Sequence, residues 1–131
     1  MTRYSLNRAA VLTPYYNLCI SEAEFHGWLR SLRLPRQDWP KWINSGDETT
    51  HCLDNEANGQ VMILVCIKTK PKISFVEICG LLIHESVHVW QHMRDGIGER
   101  TPSSEFEAYS IQNIAQSLIQ AFQDKAKRKR K

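Results

Sequence analysis

The stretch "HESVHVWQH", residues 84–92, gathers three of the chain's five histidines and one carboxylate. On an α-helix, positions four apart are separated by about 40° of rotation and roughly 6 Å of rise. The imidazoles of His84 and His88 therefore project to one side, where both can reach one zinc ion at about 2.0–2.1 Å. Glu85 is turned about 100° from His84. It cannot easily share that ligand position, but it can reach a water on the metal. Zinc lowers the pKa of such a water, and the carboxylate takes its proton as it attacks a carbonyl. The expected chemistry is metal-assisted hydrolysis, with His84 and His88 as ligands and Glu85 as general base. The competing reading is a core helix whose histidines are satisfied by hydrogen bonds.

The helix that must carry these residues has a clear start and stop. Ser74 and Glu77 have capping-box spacing, and Asp95-Gly96 ends the apolar pattern. Ile78, Leu81, Leu82, Ile83, Val87 and Val89 predict burial on most sides. Two histidines and a glutamate inside such a helix cost free energy unless they are paired or metallated.

A catalytic zinc site uses three protein ligands and one open position. His92 lies about 12 Å along the axis from His84, too far to share an ion on a straight helix. The next helix begins "SSEFEAYSIQ", and Glu105 and Glu107 are its candidates. Here the chain resembles the gluzincin metallopeptidases, in which a glutamate on a downstream helix completes the H-E-x-x-H site. The resemblance covers roughly residues 74–115. "EFEAY" (105–109) matches with Glu105 as the third ligand and Ala108 as the small residue against the active helix. It implies a zincin-like fold with an edge strand lining the cleft, a zinc cofactor, and a peptide or protein substrate. Small phage and prophage proteins of this build look similar. By helical angle Glu107 lies nearer the apolar stripe than Glu105, yet it follows Ser104 by three residues, where a capping-box glutamate belongs. Glu105 is the preferred ligand for that reason. The chain is too short for the second subdomain of a full peptidase. Tyr109 and His51 are both candidates for stabilising an oxyanion, and nothing in the sequence selects either.

The remaining elements must position this site. "SEAEFHGWLRSL" (21–32) reads as a helix capped by Ser21, with Glu24 as its capping-box partner. The segment 33–48, with its Trp and Pro pairs, reads as a loop covering the core. "TTHCLDNEANGQVMILVCIKT" reads as a β-hairpin turning at Asn58-Gly59, with a strand buried on both faces. The last helix starts near Thr101-Pro102 or Ser104 and runs to about Phe122 on a stripe of Ala108, Ile111, Ala115, Leu118 and Phe122. The fold class is α+β, one small domain with the sheet packed on the active helix.

The 131 residues suit one domain, and 42% apolar with 24% charged residues is ordinary for a globular protein. No window reaches the roughly 18 apolar residues of a membrane span, and no signal peptide is recognised, so no membrane is expected and the cytoplasm is the default location. The four cysteines have no C-x-x-C spacing and read as reduced, buried thiols. "KAKRKRK" (125–131) holds six cations, and removing them from the net +3 leaves −3 on residues 1–124. The expected organisation is a domain over 1–124 and a disordered basic tail over 125–131. That tail is a candidate contact for nucleic acid or an acidic partner. Oligomeric state is not legible.

Overall fold

The computed structural model describes residues 5–9, 11 and 14–129. Its sheet has three strands, β1 (Tyr15–Cys19), β2 (Glu48–Asn55) and β3 (Gln60–Ile67), in the order β1-β3-β2. β3 is central. It runs antiparallel to β2 and parallel to β1. The expected hairpin forms, with Gly59 at φ 72°, a left-handed value that glycine adopts without a Cβ clash. β1 is an addition that the sequence reading does not contain.

Successive β3 side chains enter opposite layers, which explains why the strand is apolar throughout. Met62, Leu64 and Cys66 pack with Cys19 and with Phe25, Leu29 and Leu32 of α1 (Glu22–Ser31) and its end. Trp39 and Trp42 cover that layer, as the loop composition suggests. Ile63, Val65 and Ile67 pack on the other side with Tyr16 and Leu18. There they meet Ile78, Leu82 and Val89 of α2 (Phe75–Gly96), and Ile114 and Leu118 of α3 (Ser104–Lys129). The result is an α+β domain with a sheet between two helical layers.

The capping box at Ser74 and Glu77 opens α2. The sequence predicts burial of this helix on most sides, but only one broad face is buried. Ile78, Leu82, Glu85, Ser86, Val89, Trp90 and Met93 are buried, while Val76, Ile83, His84 and His88 are exposed. The sheet and α3 cover one broad face and leave the other open. Ser21 caps α1 by accepting from the Glu24 amide, but the Glu24 carboxylate pairs with Lys125 instead of closing a capping box.

α3 continues to Lys129, past residue 124 where the sequence reading ends the domain and expects disorder. Lys and Arg are good helix formers, and cations in a last turn complement the helix dipole. The Lys125–Glu24 pair also ties this stretch to α1. Residues 130–131 lie outside the described residues. Cys19 and Cys66 are buried partners on β1 and β3, and their contact and burial push the Cys66 thiol up. Cys52 is exposed, unlike the expectation of buried thiols, because its strand lies at the sheet edge.

Candidate metal centre

The α2 register decides where the histidines meet. His84 Nε2 and His88 Nε2 stand 3.3 Å apart on the exposed face of the helix. Two donors about 2.0–2.1 Å from one zinc, at the tetrahedral angle, are themselves about 3.3–3.4 Å apart. The separation fits a hydrogen bond between the two rings and equally the bite of a zinc chelate. His88 Nδ1 lies 3.0 Å from Gln91 Oε1. A glutamine oxygen only accepts, so Nδ1 carries the proton, which leaves the Nε2 lone pair of the neutral ring available to a metal.

Glu85 is buried, although its two histidine neighbours are exposed. Its ligand oxygen lies within 4.8 Å of the nitrogens of His84 and His88. The register of β2 explains how it is held. Thr50 pairs with Val65, whose side chain faces α2, so Thr50 faces α2 as well. The Thr50 hydroxyl donates to Glu85 Oε2. That bond satisfies one oxygen and leaves Oε1 as the oxygen Thr50 does not hold.

The site opens into a cleft of about 370 Å³ between α2 and the start of β2. α2 contributes His84, Glu85, His88 and His92. Glu48, Thr49 and Thr50 form the facing wall, with Asn44 and Ser45 at its end. A larger groove of about 1050 Å³ lies between β1, α1 and α3, but neither histidine nor cysteine lines it. Size is a poorer guide here than donor chemistry.

The structure brings together His84, Glu85 and His88 from the sequence-predicted set. It does not bring Glu105 to them. Among the described residues, the group of potential ligand atoms within 4.8 Å of one another is His84, Glu85 and His88. Glu105 is exposed on the first turn of α3. The cause is the side of α2 on which α3 docks. Trp90 packs edge-on against Phe106 at 5.5 Å and donates to Glu107 Oε2 at 2.8 Å. Trp90 is about 160° around the helix from His88 and about 120° from His84. The start of α3 thus meets the wrong face of α2 to reach the histidines.

Glu107 is drawn to α2, as its angle implies, but as a partner for Trp90 and for Arg94 at 3.9 Å. Its supposed capping role also fails. Ser103, not Ser104, is the cap, accepting from the Phe106 amide at 3.3 Å.

The chain matches no protein-family model, no curated protein and no solved structure. Function is therefore read from this geometry. Neither oxyanion candidate lines the cleft. Tyr109 is 67% exposed on α3. His51 faces α1, stacked on Phe25 at 4.8 Å, with Nε2–H donating to the Trp42 carbonyl at 2.9 Å. Burial pushes its pKa down, outweighing the upward pull of that carbonyl and of Glu85. Thr50, Gln91 and Glu48 are residues beside the histidines or in their cleft that the sequence does not assign, and His92, which the sequence sets aside as a ligand, lines the cleft. Gln91 has a local signal, since i,i+3 neighbours on a helix meet.

Proposed function

We propose that this protein is a zinc-dependent hydrolase of the H-E-x-x-H type, acting on peptide or protein substrates in the cytoplasm. The observation that carries the reading is the His84–His88 separation of 3.3 Å, with the His88 tautomer set by Gln91 and the Glu85 carboxylate held beside it by Thr50. His84 and His88 would hold the ion. Zinc bound there supplies Lewis acidity, which makes water a nucleophile near neutral pH. Glu85 accepts the water's proton at the oxygen Thr50 does not hold and can return it to the leaving amine. Thr50 keeps the carboxylate turned toward the histidines while this happens. Among the described residues no helix is long and apolar enough to cross a membrane.

Zinc content after purification and hydrolysis of a peptide library test the reading. Wild type should carry about one zinc per chain at saturation. Glu85→Gln should keep that zinc and lose hydrolysis by about 10²–10⁴-fold. A folded wild-type protein that binds no zinc would falsify the proposal.

One observation favours a second reading, a binding or assembly protein that keeps the zincin-like scaffold without turnover. α3 does not bring Glu105 to the histidines, so the third ligand of a catalytic site must come from elsewhere. In that case Glu85→Gln would change nothing but the local hydrogen bond to Thr50. A separate surface, the exposed cations Lys127, Arg128 and Lys129 at the end of α3, is proposed as a contact for nucleic acid.

A further inference from the structure

We infer that Glu48, at the start of β2, is the third metal ligand, an inference that rests on the zinc reading above. Glu48 pairs across the sheet with Ile67, whose side chain packs with Ile78, Leu82 and Val89 on the α2 side. Directly opposed residues on neighbouring strands share a face, so Glu48 projects toward α2. Thr50, two residues on, shares that face and already reaches Glu85. Glu48 therefore stands about 7 Å along the strand from the residue that anchors the base.

The cleft itself places Glu48 opposite the histidines. Glu48, His84, His88 and His92 line one cavity. The neighbouring Asp47 is held by Lys70 at 3.0 Å, whereas the Glu48 carboxylate makes no hydrogen bond or ion pair among the described residues. It is half-buried, so its charge is partly shielded from water. The cleft contains two carboxylates, three imidazoles and no lysine or arginine. With neutral imidazoles that is a net charge of −2, suited to a divalent cation. Glu85 supplies one of these charges but is tied to Thr50 and set back in the helix interface. Like Glu105, Glu48 lies outside the 4.8 Å group of His84, Glu85 and His88, but it stands on the facing wall of their cleft and would reach an ion held by the two histidines by turning about its side-chain torsions. Two neutral imidazoles and one carboxylate, with a position left for water, is the donor set of a hydrolytic zinc site. Here the carboxylate comes from the strand before the histidine helix rather than from the helix after it.

The test is zinc affinity by competition with a chromophoric chelator, using zinc alone on the full chain. Wild type, Glu48→Gln, Glu105→Gln and Glu85→Gln are compared, with melting of the metal-free proteins as the fold control. Outer partners of metal ligands are worth about 10–100-fold in affinity, so loss of a direct ligand should exceed about a hundredfold. Glu48→Gln should cross that threshold, while Glu105→Gln and Glu85→Gln stay within it. A smaller loss in Glu48→Gln, with wild type binding zinc tightly, overturns the assignment of Glu48 and leaves the metal reading standing. Wild type that binds no zinc overturns both.

Discussion

Thr50 determines what Glu85 can do. A buried carboxylate without a donor is costly, and a hydrogen bond to a charged group is worth about 1.5–3 kcal/mol. Thr50→Val keeps the shape of the side chain and removes the hydroxyl. If the protein is the zinc hydrolase proposed above, this change lowers kcat about 10–100-fold, the usual worth of a partner that orients a site residue, while zinc affinity stays near wild type. Steady-state kinetics alongside a zinc titration separate the two effects. Equal losses in both would show that Thr50 supports the metal ligands rather than the base. Thr50 and Glu48 are not legible as site residues for one physical reason. Alternation along a strand says that positions 48 and 50 share a face, but not which face meets α2. The histidines are legible because their spacing and the helical period are both local. Their pairing needs only the helix.

Among the elements, α2 is the most readable and α3 the most misleading. The capping box of α2 is formed by groups three residues apart, so sequence and structure agree. Ser74→Ala removes it, and should cost about 1 kcal/mol and roughly 4 °C in Tm, read by thermal melting. Unchanged melting would mean that packing against the sheet alone fixes the start of α2. The amphipathic stripe of α3 is visible in part: Leu118 is buried and Ile111, Ala115 and Phe122 are half-buried, but Ala108 is exposed and the buried Ile114 is not on the expected stripe. What the stripe does not reveal is which face of α2 it covers. Trp90 settles that by taking Phe106 and Glu107, and the one-residue shift of the cap to Ser103 removes the reason to prefer Glu105. β1 escapes notice for a different reason. Its five residues, YYNLC, carry little periodicity, and a parallel pairing with β3 has no turn to announce it.

At the scale of the molecule, charge and proton binding link parts far apart in the chain. Lys127, Arg128 and Lys129 are exposed at the end of α3, beyond the pair that joins Lys125 to Glu24. Changing all three to Gln keeps that tie. It should reduce the salt slope of duplex binding by roughly one for each phosphate that is no longer neutralised, and an unaltered slope in a two-salt titration would rule the interaction out. Stability should respond to pH through His51, which joins β2 to α1 and the loop carrying Trp42. Its folded pKa lies below the ordinary value of about 6.5, chiefly because burial disfavours the cation. The unfolded chain then binds the proton more readily than the folded one, so stability rises with pH across this window. The contribution is complete above about pH 6.5 and is lost as pH falls toward the depressed folded value. The metal-free protein should therefore melt at a lower temperature at about pH 5.5 than at about pH 7.5. His51→Gln can still donate to the Trp42 carbonyl but binds no proton, so its melting temperature should vary less over the same range. Wild type and His51→Gln with the same pH dependence would place the titrating group elsewhere.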